Sequence, residues 1–487
     1  MEKLAGLGLA VVLLCACGRG GKGADRDGGT PADVDSGTLK DGGAGAPLLG
    51  DAFDCGKATA VGGLASSSRA SALERKQVDV GAFPDALCND GTPALFYVRP
   101  ASTSAGMNKW VIQLLGGGAC SSPALCAKRW CSVDTNFSKT QMTSATSPER
   151  TDGEGIFARS SDGTLPAANP LEDANQVLVK YCSSDTWRGT ARDVEVEAPH
   201  PVTGTTTRYR VHFLGRRILE AVLATLRRDG APATTWGPQD TELPDLDVAS
   251  EVVLAGASAG GGGTAFNLDW LQQELRAHNP DVQVLGLIDS TFGPDLIGLD
   301  YAQGPACTQM GLCSDAAYLG YGLQAQVGLW QVAPEESCSA HHAQDDAGWK
   351  CASDTHVILH HLTTPFFVRQ GLSDGLISDP YVEGGLRVDG QPFTLGIFGR
   401  EVSEQLDGFS SLAATAEEGG AVTQAPGGFG PLCPKHETLR STPDTFNVHV
   451  TPAGGSPVRM FDAWNAWRTG APGAVVFSRN PSDTQCP

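Results

Sequence analysis

The sequence has no apolar run long enough to span a bilayer as a mature helix, no C-x2-C pair, no H-E-x-x-H pattern and no internal repeat. The first absence excludes an integral helical membrane protein. The next two exclude the common zinc ribbons and zinc-dependent proteases. The last excludes solenoids and propellers. Basic residues are also scarce: 35 Lys and Arg stand against 55 Asp and Glu, a formal charge of −20. Such a field repels nucleic acid and anionic membrane surfaces, and it offers no long-range attraction to a polyanionic substrate.

What is present points to a large exported α/β protein. The 487 residues are 41% hydrophobic, enough to bury a sizeable core, and a single elaborated α/β domain fits the length. The N-terminus, MEKLAGLGLAVVLLCACGRG, places a lysine before an apolar run from Leu4 to Ala16, the pattern of a secretory signal. Its end, Leu14-Cys15-Ala16-Cys17, resembles a lipoprotein processing site, so residues 1–16 are expected to be removed and Cys17 to carry lipid. An ordinary signal peptide cut nearby is the alternative. Anchoring at the outer membrane or cell surface, or secretion, follows as the expected location. Residues 17–50 are rich in Gly, Asp, Ala and Pro, and read as a flexible tether. A single domain is expected over 51–487, with 381–430 as an irregular Gly-rich insertion. Setting aside Cys15 and Cys17 leaves twelve cysteines, an even number that in an exported chain predicts disulfide staples. No metal or cofactor is expected. His356, His360 and His361 could share a helix face, and a solvated or packed helix end is the preferred reading for them.

Apolar runs bounded by turn signals predict buried parallel strands at 110–115 (WVIQLL), 175–182, 251–256 (EVVLAG), 281–289 and 364–371. Helical spacing occupies 217–228 and 264–278 between them. Strands alternating with helices predict a mostly parallel central sheet covered on both faces.

The chemistry centres on EVVLAGASAGGGG. Gly256, Ser258 and Gly260 form G-x-S-x-G, a weak pattern alone in a chain with 61 glycines. Here it follows an apolar strand and opens a helix, the setting of a nucleophile elbow. The bland alternative is a flexible glycine loop, since four consecutive glycines start a helix poorly. A serine nucleophile needs a base, and the base an orienting acid. With chain order Ser, acid, His, the acid should follow a later strand, and TPFFVRQGLSDG supplies Asp374. Only His436 and His449 come later. His449 sits in the alternating run FNVHV, as on a sheet face, whereas His436 lies in a loop beside Cys433, so His436 is the preferred base. LLGGGAC (114–120) ends a strand in three glycines, and the N–H groups of Gly117, Gly118 and Ala259 are the candidate oxyanion donors.

Six blocks in order resemble the pectin acetylesterase/Notum family of secreted carboxylesterases. They are LLGGGAC with Cys126 six residues on, YCSSDTWRG (181–189), LAGASAGGGG, LIDSTF with Asp289 and Ser290, PFFVRQGLSDG and CPKH, spanning roughly 88–470. The resemblance implies an α/β-hydrolase-type fold and metal-free ester hydrolysis by Ser258, Asp374 and His436. Gly118 stands where many members have tryptophan, and Ser373 replaces an aromatic residue often found before the acid. Asp185 could touch substrate or serve as a structural hydrogen-bonding group. The expected activity is removal of O-acyl groups, acetyl above all, from a polysaccharide such as pectin. A Notum-like deacylase of a longer acyl chain on a lipidated protein and a non-catalytic carbohydrate-binding protein are the alternatives.

Overall fold

The computed structural model describes residues 45–56, 63–133, 138–163, 165, 168–227, 245–295, 300–301, 326–332, 335–344, 348–383, 386–412, 424–472 and 474–486. Its frame is a ten-stranded sheet. In chain order the strands are β1 (Leu73–Gln77), β2 (Leu95–Arg99), β3 (Lys109–Leu114), β4 (Arg150–Thr151), β5 (Asn175–Val179), β6 (Glu251–Ala257), β7 (Gln283–Asp289), β8 (Phe366–Arg369), β9 (Gly427–Gly430) and β10 (Val475–Phe477). Their order across the sheet is β10-β9-β8-β7-β6-β3-β5-β2-β1-β4. The run from β10 to β5 is parallel; β2, β1 and β4 pair antiparallel at one edge. All five predicted strands lie in the parallel run. β3, β5, β6 and β8 are buried nearly end to end, as strands covered on both faces must be.

Six helices matter for the site: α1 (Gly215–Leu226), α2 (Ala259–His278), α3 (Glu336–His341), α4 (Asp354–His360), α5 (Leu395–Leu412) and α6 (Met460–Thr469). Successive strand residues face opposite sides of a sheet. A Cβ on Gly427 would meet Trp467 of α6, and one on its neighbour Gly428 would meet Leu406 and Phe409 of α5. The two helices therefore cover opposite faces, and the core fills the space between them and the sheet.

Two expectations change. Residues 46–50 do not belong to a loose tether: Leu49 is fully buried, Ala46 nearly so, and Arg210 binds the carbonyls of both Ala46 and Pro47. Within 381–430, α5 buries Phe398, Val402, Leu406 and Phe409 on one face, and β9 is a full member of the central sheet. Ten cysteines pair as Cys55–Cys131, Cys88–Cys182, Cys120–Cys126, Cys338–Cys351 and Cys433–Cys486. Cys307 and Cys313 lie outside the described residues, as do Cys17 and the signal segment. Among the described residues no helix is long and apolar enough to cross a membrane.

Candidate active site

Parallel strands present their carboxyl ends at one edge of the sheet, where α/β proteins build their sites. Ser258 sits at that edge between β6 and α2, with φ +57° and ψ −126°. A non-glycine residue in this left-handed region is held there by its surroundings. Its amide donates to Asp289 O at 2.9 Å, tying the turn to the end of β7. The glycines after it are explained by close packing. A Cβ on Gly260 would collide with Leu114 O, and one on Gly263 would lie 2.5 Å from Trp187 Cδ1. Trp187 is fully buried and donates from its indole to Leu115 O at 3.0 Å, so it wedges between the start of α2 and the glycine-rich end of β3.

The candidate acid and the candidate base are brought together. His436 Nδ1 lies 2.8 Å from Asp374 Oδ2, and Asp374 is fully buried after β8. Leu376 N donates to the other carboxylate oxygen at 3.1 Å, and Gln370 Nε2 approaches Oδ2 at 3.3 Å. The His436 side chain is 17% exposed. Its burial alone would lower its pKa, but the hydrogen bond and charge of Asp374, with Glu437 and Asp289 nearby, outweigh burial and raise it above the ordinary imidazole value. Ser258 Oγ and His436 make no direct hydrogen bond in this structure. Gly116 shows that the two blocks meet: a Cβ there would lie 3.2 Å from Ser258 Cβ and 2.6 Å from Glu437 Oε1, next to the base. Burial pushes the Glu437 carboxyl up; Arg440 and His436 oppose the shift, and Asp289 and Asp374 add to it.

The strand end at 116–118 is turned by its carbonyls. Arg129 Nη2 donates to Gly117 O at 2.6 Å, and Tyr181 Oη donates to Gly118 O at 2.8 Å. Both glycines have positive φ, +138° and +61°. Among the described residues, the N–H groups of Gly117, Gly118 and Ala259 donate to no backbone carbonyl outside their own helices or strands. His449 lies in a separate three-stranded sheet, its Nδ1 3.2 Å from Asn447 O, and not against Asp374. Asp185 is fully buried and accepts from Ser183 Oγ, Gly215 N and Trp187 N at 2.6, 2.7 and 3.1 Å. Burial raises its pKa to about 6 despite those donors. It braces the loop that carries Trp187.

Sequence reasoning missed the group that holds the His436 loop. Asp289, at the end of β7, accepts on Oδ2 from Thr438 N, Thr438 Oγ1 and Leu439 N at 3.0, 3.1 and 3.3 Å. Its Oδ1 accepts from Arg369 Nη1 at 3.0 Å and Ser290 Oγ at 2.7 Å. Arg369 also donates to the carbonyls of Lys435 and His436, each at 3.2 Å, and Ser290 Oγ lies against His436 O. Arg369 is 1% exposed. The available signal was an arginine inside the otherwise apolar FFVR, since an arginine is almost never fully buried unless paired.

A large, mostly parallel sheet with helices on both faces and a strand–serine–helix elbow at its carboxyl edge define the class: an α/β-hydrolase-type fold. Comparisons with known proteins narrow it. The profile of the Pectinacetylesterase family matches residues 67–379, and the chain belongs to that family. Among relatives, the palmitoleoyl-protein carboxylesterase notum2 of Xenopus laevis is 29% identical over 289 residues, 59% of this chain and 49% of that protein. Human NOTUM is 26% identical over 412 residues, 77% of this chain and 68% of that one. Drosophila melanogaster NOTUM is 30% identical over 311 residues, 63% of this chain. The matched stretch is thus about half of the Xenopus protein and 38% of the Drosophila protein. In structure, the Wnt deacylase Notum from Drosophila superposes with a TM-score of 0.56 at 24% identity, covering 84% of this chain and 97% of that one. That likeness concerns the fold.

Proposed function

We propose that the protein is an exported serine carboxylesterase that removes O-acetyl groups from an acylated polysaccharide such as pectin. The supporting observation is the 2.8 Å contact of His436 Nδ1 with the buried Asp374, beside a serine held at positive φ on the strand-to-helix turn. Ser258 Oγ attacks the ester carbonyl while His436 Nε2 takes its proton. Asp374 accepts from the Nδ1–H, which fixes the tautomer and steadies the imidazolium. The carbonyl oxygen gains charge and is met by N–H groups of Gly117, Gly118 and Ala259; each such donor is worth about 3 kcal/mol in the transition state. His436 then returns its proton to the departing alcohol and activates a water that hydrolyses the acyl-serine. The five disulfides among the described residues fit a protein that works outside the reducing cytosol. Lipidation at Cys17 belongs to the same reading.

One observation favours a second reading, deacylation of a longer acyl chain: the relatives named above are palmitoleoyl-protein carboxylesterases. Both readings share Ser258, so labelling by a fluorophosphonate probe tests them together. Labelling is expected to vanish in Ser258→Ala, and labelling that survives the substitution overturns both. Rates on p-nitrophenyl acetate and p-nitrophenyl octanoate then separate them. A short-chain preference is expected, and a strong preference for octanoate would replace the first reading with the second.

A further inference from the structure

Five of the chain's ten histidines gather at one place away from the triad. They come from two elements: His341 and His342 at the end of α3 and the turn after it, and His356, His360 and His361 on α4 and its C-terminal cap. Three are buried, His342 to 5% exposure, His356 and His361 to 1% each. One ring nitrogen from each of these three, together with Cys338 Sγ, falls within a cluster whose atoms lie within 4.8 Å of one another. His342 Nε2 and His356 Nε2 are 3.5 Å apart. Three imidazoles on a tetrahedral zinc with bonds of about 2.0–2.1 Å hold their nitrogens roughly 3.3 Å apart, so the pair is already near ligand spacing.

We propose that His342, His356 and His361 bind one divalent transition-metal ion of the zinc class, with a non-protein ligand in the fourth position. Cys338 is not a ligand, because its sulfur is bonded to Cys351 and offers no thiolate. The disulfide is instead a brace: it joins α3 to the turn just before α4, the two elements that carry the three imidazoles. Ser337 Oγ lies 3.1 Å from His361 Nδ1, the kind of contact that fixes the ring and tautomer of a ligating histidine. His360 turns to Asp295, Nε2 to Oδ2 3.3 Å, and places a carboxylate beside the cluster. The site serves the scaffold. Asp354, the first residue of α4, pairs with Arg188 and accepts from Thr291 Oγ1, and a Cβ on Gly262 of α2 would lie 2.6 Å from it. A metal that fixes α4 thereby buttresses the helix that begins at Ser258. From sequence a solvated or packed helix end is the preferred reading of His356, His360 and His361; the missing partner, His342, comes from a separate element.

The test uses the full chain with its disulfides intact, stripped with chelator and titrated with Zn2+ or Co2+ alone. The wild type is expected to take up one ion per chain, to give the intense visible absorption of tetrahedral cobalt, and to melt at a higher temperature with zinc. His342→Gln, on a turn where folding is least at risk, is expected to weaken binding at least about tenfold and to abolish the thermal shift. Its near- and far-ultraviolet circular dichroism, compared with that of the metal-free wild type, serves as the folding check. His360→Ala is expected to keep the ion. Equal zinc uptake by wild type and His342→Gln would overturn the proposal. So would loss of the ion in His360→Ala alone, or a wild type that takes up none, which would leave an imidazole cluster held by hydrogen bonds.

Discussion

Asp289→Asn separates the support of the proposed base, His436, from the base itself. Asp289 touches neither Ser258 Oγ nor the Asp374 carboxylate, yet its two oxygens are surrounded by donors on both sides. A carboxylate accepts from all of them; a carboxamide has one acceptor oxygen and one donor NH2. If the oxygen faces Thr438 and Leu439, the NH2 faces the Arg369 guanidinium. If it faces Arg369, the NH2 confronts two backbone N–H groups of the His436 loop. Either way Arg369, 1% exposed, loses the charge of its buried partner. Removing one member of such a pair costs about 3–5 kcal/mol. The same change loosens the segment 435–439, so kcat should fall more than KM changes. Denaturant unfolding followed by tryptophan fluorescence measures the first effect, and hydrolysis of p-nitrophenyl acetate the second. Asp289→Asn combined with Arg369→Met removes both charges and should recover much of the stability without recovering kcat. A loss below about 1 kcal/mol in the single variant, with kcat intact, would refute the reasoning that this pair holds the base.

Four further outcomes can be measured. The acid limb of kcat/KM should report His436 with an apparent pKa above the free imidazole value of about 6.5, because Asp374 raises it and only the neutral ring is a base. Activity is therefore lost as pH falls through that value. Asp374→Asn should move the limb to lower pH and cut kcat by roughly 10^4-fold, as loss of the orienting carboxylate does in serine hydrolases. Gly263→Ala should lower stability by about 1–3 kcal/mol, measured by thermal unfolding, because its methyl would meet the immobile Trp187 ring at 2.5 Å. Cys17→Ser should release the mature chain from the membrane fraction into the soluble one if lipid is its anchor, seen by fractionation and by the mass of the N-terminal peptide.

The parallel half of the sheet was legible because strands buried on both faces are forced to be apolar runs, as WVIQLL and EVVLAG are. β1 was not: LERKQ lies one strand in from the antiparallel edge, and three of its five residues are charged, the buried Lys76 among them. β9 was hidden for a different reason. GGFG has no strand propensity, and its glycines are there because Phe367 and Trp467 on one side and Leu406 on the other leave no room for side chains. The same glycine content made 381–430 look irregular and masked the spacing of Phe398, Val402, Leu406 and Phe409. Ser258, Asp374 and His436 could be proposed from order along the chain. The Asp289–Arg369 brace and the His342 contact to α4 could not, because each joins segments whose pairing only the folded sheet decides.

The pairing of the first six cysteines after Cys17 also bears on how the protein matures. Taken in order of appearance, neighbours would join as Cys55–Cys88, Cys120–Cys126 and Cys131–Cys182. Only the second of these is native; the other two bonds interleave, Cys55 with Cys131 and Cys88 with Cys182. If Cys55 and Cys88 join first as the chain emerges, that bond has to be opened by attack of a later thiolate before the native pairs can form. Yield of active enzyme should depend on an isomerase in the compartment of synthesis, and expression hosts lacking one should accumulate a soluble but scrambled product.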